Sequence, residues 1–361
     1  MEAAGIPDSL KFKPDFAEAR KYWRAFWAGE IIDRPAIMVR APKEGAEQKP
    51  GPAYMAGADG EYDAVADMVL ANAAGTYYGG EAVPCYNPSF GPDQFSGFLG
   101  VPLEHSPDST STSWSMPIVE NWEDVLPIRL DAHNPLWRRM LEFVRVLADR
   151  CEGQVLISNL DLHSNFDALA AMRLPERLCF DLYDCPDLIT EAMMNVRAIY
   201  YEVYSGVYYA GKMDRYGSLG WAPFYGEGRM NFIQCDFICL LSPEMGRRWV
   251  IPALEEEASF LDHSVYHYDG PEALVHLEDI CSIPDLDVIS WVPGAGNPGH
   301  KNWIEMFQKI QSLGKGLEIH TSIDDIPFFH SQLKPEKVMY CTHAASEKQA
   351  EDAIQWLKDN T

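Results

Sequence analysis

The sequence predicts an α/β protein: a single (β/α)8 TIM barrel with an insertion over the barrel mouth. Three observations carry that prediction. Apolar, strand-like runs alternate with helical patterns through the last two-thirds of the chain. The runs, counted from the first, number eight, which is what such a barrel requires. No glycine-rich phosphate turn follows an early strand, as a doubly wound open sheet would want. The 361 residues read as one domain, with the insertion at about 87–135.

AIMVR (36–40) is the first strand and EAVPCY (81–86) the second. The stretch 87–135 is rich in Pro, Ser, Asp and Trp and too long for an ordinary βα loop. VLISNL (155–160) follows, with helical patterns over 165–181 and 186–210. FIQCDFICLL (232–241) is the next apolar run, and Ser242 then caps a helix that has Pro243 at its first position. SVYHY (264–268), DVISWV (287–292), GLEIHT (316–321) and VMYCT (338–342) complete the strands. Strands separated by one helix each must run parallel, with right-handed crossovers. GAGNPG (294–299) comes late and carries Pro298, so it reads as a βα loop and not as a phosphate cradle.

Composition narrows the function classes. Lys and Arg total 29 against 54 Asp and Glu, a formal charge of −25. Such a chain is a poor match for nucleic acid, which needs clustered basic residues, or for an anionic membrane surface. No apolar run is long enough to span a bilayer, and the opening MEAAGIPDSLKFKPDF lacks the apolar stretch of a signal peptide, so the expected location is cytoplasmic. The eight cysteines are scattered without a CxxC pair, which excludes a zinc ribbon.

In a barrel the chemistry sits at the C-terminal ends of the strands. That rule selects Asp161, His163, Cys235, Asp236, His267, Asp269, Glu318, His320, Cys341 and His343. His267 and Asp269 stand two apart on an extended segment and so point the same way. With Cys341 from a later strand they compose a His/Asp/Cys zinc site with one open position; the same spacing also suits a plain polar pair beside a core cysteine. Asp161, His163 and Asp236 are the candidate catalytic groups, since a carboxylate beside an imidazole tunes it for proton transfer. A loop that caps the helix near Asn165 explains the first two equally. Arg40, Asn159 and Trp291 are the candidate substrate-binding residues, and Arg34 joins Arg40 in flanking the first strand.

These segments resemble the uroporphyrinogen decarboxylase superfamily. IDRPAIMVRAP looks like its opening strand. CDFICLLSPEMGRRWVIPALEEE resembles its SPE segment, and VYHYDGPEALVHLEDICSIPDLDVISWVPG its H-x-C strand and the unit that follows. The resemblance spans nearly the whole chain and is strongest over 232–298. It implies a TIM barrel. It also implies one of two activities, because the superfamily holds cofactor-free decarboxylases and zinc-dependent methyltransferases similar to methylcobamide:coenzyme M methyltransferases. The methyltransferases bind zinc through H-x-C and a later Cys; here His267 matches the His, Asp269 stands at the first Cys, and Cys341 is the later Cys. The decarboxylases hold substrate carboxylates on an Arg-rich turn after the first strand, where this chain keeps only Arg40. The expected function is therefore zinc-dependent methyl transfer between a small molecule and a corrinoid or thiol. A corrinoid protein is a possible partner and a homodimer a possible assembly; decarboxylation of uroporphyrinogen or a related acid is the alternative.

Overall fold

The computed structural model describes residues 5–47, 49–105 and 112–361. Its centre is a seven-stranded sheet. Six strands run parallel in the spatial order Ala36–Pro42, Val338–His343, Gly316–His320, Val288–Val292, His263–Asp269 and Met230–Ile233. The seventh, Thr76–Gly80, adds antiparallel to the outer side of Ala36–Pro42. Cys85–Tyr86 and Leu156–Ile157 form a separate parallel pair. This pair is tied toward the open edge of the sheet by Asn231 Nδ2, which donates to the Leu160 carbonyl at 3.2 Å. The result is a barrel-like α/β fold with a mostly parallel sheet.

Each of the eight expected strands has a counterpart; VLISNL keeps only Leu156–Ile157 as strand, and three further boundaries differ for physical reasons. The run 232–241 stops being a strand at Ile233, and Asp236–Leu240 is a 3-10 helix. The Asp167 carboxylate accepts the backbone N–H groups of Asp236 and Phe237 at 2.9 and 2.8 Å, which turns the chain out of the ladder. The helical pattern 165–181 is two helices, Asn165–Arg173 and Pro175–Asp184, because Pro175 drives Leu174 out of the helical region. EAVPCY keeps only Cys85–Tyr86 as strand, since Pro84 has no N–H to give a ladder.

The Arg34 side chain, expected as a possible carboxylate holder, is instead locked inside the fold. Its guanidinium makes a two-pronged ion pair with buried Glu81 at 2.7 and 2.8 Å, and Glu81 also accepts the Ile37 N–H at 2.7 Å. Gly80 allows that approach: its φ is +59°, and a Cβ there would press into the Ile37 carbonyl. Ser242 caps its helix as expected, accepting the Met245 N–H at 3.3 Å.

Among its described residues the insertion holds the helix Gln94–Phe98, the short pair Leu103–Glu104 with Trp114–Ser115, and the 3-10 turn Trp122–Asp124. Phe90, Phe95, Phe98 and Trp122 are buried and fasten it to the core, whereas Trp114 is exposed. Part of the insertion, 106–111, lies outside the described residues. No helix among the described residues is long and apolar enough to cross a membrane.

Candidate functional site

Strand alternation decides which side chains can meet. Tyr268 pairs in register with Trp291, and both point toward the covering helices: the Trp291 ring meets Trp303 at 4.9 Å. Their neighbours therefore point to the opposite, inner face. His267, Ser290 and Glu318 lie in register on that face, as do His320 and Cys341 on the next layer.

Three of these residues converge. Glu318 Oε1 lies 3.5 Å from the Cys341 thiol and 3.0 Å from His320 Nε2. One ligand atom from each of Glu318, His320 and Cys341 fits within 4.8 Å of the other two. The Glu318 side chain is 1% exposed and that of His320 57%, so the cluster reaches from the interior to solvent. Burial alone would raise the Glu318 carboxyl, but the hydrogen bond and charge of His320 outweigh it and hold it below the usual range. The hydrogen bond to Glu318 in turn raises His320 against its burial. Burial, with the Glu318 charge beside it, pushes the Cys341 thiol far up. Arg40 stands next to this group; its Nη2 donates to Cys85 Sγ at 3.7 Å, and its charge, after burial, depresses the nearby His343.

The expected ligand set His267, Asp269 and Cys341 is not gathered in this way among the described residues. Two strands, Val288–Val292 and Gly316–His320, separate the strand of the first two from that of Cys341. His267 packs its ring edge-on against Trp221 at 5.1 Å, and its buried Nδ1 has no hydrogen-bond partner. Asp269 is exposed at the end of its strand. Cys341 belongs to both sets. Two expected substrate contacts lie away from this cluster. Asn159 is 0% exposed in the core, where its Oδ1 accepts the Leu160 N–H at 2.9 Å, and Trp291 is on the helix side of its strand. Arg40 keeps its place at the mouth.

A second cluster forms where the chain leaves Leu156–Ile157 and Met230–Ile233. Asp161 Oδ2 is 3.5 Å from His163 Nε2, and Asp167 Oδ2 and Asp236 Oδ2 are each 3.9 Å from His163 Nδ1. The three expected catalytic residues thus do come together, joined by Asp167, which sequence reasoning passed over as an ordinary helical residue. Burial would lower the His163 pKa, yet the hydrogen bond and charge of Asp161, with Asp167 and Asp236 behind them, bring it up to about 10. Burial and the Asp167 charge push Asp236 up to about 6, against the pull of His163 and His267. Asn165, at φ 51°, ties the floor of this cluster together: its Nδ2 donates to the Gln234 carbonyl at 3.0 Å. Beneath it, Ser164 Oγ donates to buried Glu257 at 2.6 Å, and burial raises the Glu257 carboxyl to about 8. A cavity of about 340 Å³ opens beside His163, Asp167 and Asp236, and Asp93, Ser115 and Pro117 of the insertion line its far side.

The fold is similar to that of a solved methyltransferase. That protein is described as a methyltransferase from Methanosarcina mazei; the likeness has a TM-score of 0.59 at 10% identity and covers 95% of this chain and 98% of that one. At this identity the likeness is one of fold. No protein-family model and no curated protein matches the sequence.

Proposed function

We propose that this protein is a zinc-dependent methyltransferase of the uroporphyrinogen decarboxylase superfamily. In this reading its eight parallel strands make a barrel, and it moves a methyl group between a small molecule and a corrinoid or thiol. The observation that carries the reading is the convergence of Cys341, Glu318 and His320 at the C-terminal ends of adjacent strands. Thiolate, carboxylate and imidazole are the donors zinc takes in catalytic sites, with a further position left open. The fit has independent support in the buried Glu318 Oε2, which has no hydrogen-bond partner. Zinc bound there would act as a Lewis acid and favour the thiolate form of a sulfur ligand or substrate at neutral pH. The chain's own residues do the rest. Glu318 and His320 hold Cys341 in place, Arg40 supplies positive charge beside it, and the His163 imidazolium is a proton source for a leaving group. The methyl carbon moves without its bonding electrons, which stay on the atom it leaves and form the proton's new bond there.

The decarboxylase alternative loses one of its two arginines, because Arg34 already neutralises Glu81 inside the fold. Arg40 alone is thin provision for a substrate with many carboxylates.

Elemental analysis of the purified protein tests the proposal. Wild type should carry about one zinc per chain; Cys341→Ser and His320→Ala should lose it, and His267→Ala should keep it. A metal-free wild type removes the proposal. Loss in Cys341→Ser and His267→Ala with retention in His320→Ala restores the ligand set expected from sequence.

A further inference from the structure

The cavity beside His163 differs in character from the Cys341 cluster. Carboxylates of Asp93, Asp167 and Asp236 line it, and no Lys or Arg does. Its one basic group, His163, is already spoken for by Asp161 on its Nε2 side. Carboxylates thus outnumber the imidazole among the groups that line the space, and His267 acts on Asp236 from outside that lining. The rest of the wall is apolar: Ala170, Ala171, Leu174, Pro175, Phe237 and Leu240. His163, Asp167 and Asp236 each bring a ligand atom within 4.8 Å of the other two, a spacing that also admits a metal ion, but the apolar remainder of the wall leaves a hydrated ion few further oxygen or nitrogen donors. The wall suits a cation that carries its own apolar coat. At about 340 Å³ the space has the size of a small-molecule pocket.

We propose that this cavity binds a small organic cation, an ammonium group bearing short alkyl substituents. Asp236 and Asp167 face its charge, and Ala171, Leu174 and Phe237 face its alkyl groups. As a statement of substrate class it rests on the methyl-transfer reading, because an alkylated ammonium is a methyl donor or the product of one. The binding itself requires no metal.

The test uses the full-length protein and isothermal titration at pH 8, with tetramethylammonium as probe. Its neutral and anionic shape analogues, tert-butanol and pivalate, are titrated in parallel, as is Mn²⁺. Tetramethylammonium should bind saturably and the two analogues should not. Asp236→Asn should weaken it at least tenfold, and Ala171→Leu, which fills the apolar side, should do the same while leaving every carboxylate in place. Both variants should keep the zinc content of wild type and unfold at no lower a temperature. No saturable binding, equal binding of pivalate or tert-butanol, unchanged affinity in both variants, or stoichiometric displacement by Mn²⁺ would each overturn the proposal. Zinc content is read separately, so a protein that binds tetramethylammonium but no metal refutes the methyl-transfer reading alone, and the converse refutes the cation site alone.

Discussion

Glu257 offers a quantitative test of how the site's floor is built. It is fully buried, it accepts Ser164 Oγ at 2.6 Å, and its Oε2 has no partner. Burial raises its carboxyl to about 8, far above the value it has in an unfolded chain. Between those two pH values the folded protein holds a proton that the unfolded chain has released. Stability from this group is therefore full below the unfolded pKa, falls as pH rises, and levels off once pH passes the folded pKa. The slope is about 1.4 kcal/mol per pH unit, so the whole loss is on the order of 5 kcal/mol. Glu257→Gln removes the titration and keeps the shape: its amide oxygen still accepts from Ser164. Urea denaturation of both proteins from pH 5 to pH 9 isolates the effect, because all other titrations cancel in the difference. The variant should gain on wild type by about 1 kcal/mol or more per pH unit up to about pH 8, then run parallel to it. A difference that stays flat over that range would refute the argument, since it would mean that Glu257 ionises in the fold as easily as in water.

Other outcomes follow from the same structure. Arg34→Met should cost about 3–5 kcal/mol in urea denaturation by stranding the Glu81 charge, and Arg34→Met with Glu81→Met should recover most of it. Gly80→Ala should lower stability by about 1–3 kcal/mol, because alanine is strained at φ +59° and its Cβ meets the Ile37 carbonyl. The His163 imidazole, followed by NMR, should stay protonated to about pH 10, and Asp161→Asn should move its midpoint down. As a raised histidine it stabilises the fold fully below its unfolded pKa, and that contribution disappears as pH passes about 10.

The barrel-like order of strands was readable because apolar β-branched runs such as VMYCT and DVISWV have few other uses, and their helical spacers dictate parallel pairing. The residues at the strand ends were readable for the same reason, and Glu318, His320, Cys341, His163 and Asp236 were all on the short list. Which of them meet was not. Two-residue spacing places His267 and Asp269 on one face but says nothing of how many strands separate them from Cys341; the sheet order puts two between. Trp291 was misplaced by a single position: Ser290 and Val292 share the inner face, and Trp291 must face the helices. Asp167 and Glu257 were hidden because each lies in a helix, where a carboxylate reads as solvated surface. Burial, which sequence does not display, is what gives them their roles.

The mouth also divides by charge. Arg40, His300, His320 and His343 gather on the side of Cys341, where the pKa values of His300 and His343 are depressed by burial and by their charged neighbours. Asp93, Asp161, Asp167 and Asp236 gather on the side of His163. Such a division costs stability on both sides, since like charges held together repel. Under the proposed methyl transfer, a cationic donor would be held where carboxylates are in excess, and an anionic or thiolate acceptor where arginine and imidazole are. The net charge of −25 is then no guide to the polarity of the mouth, because Arg40, His300, His320 and His343 lie beside the thiol.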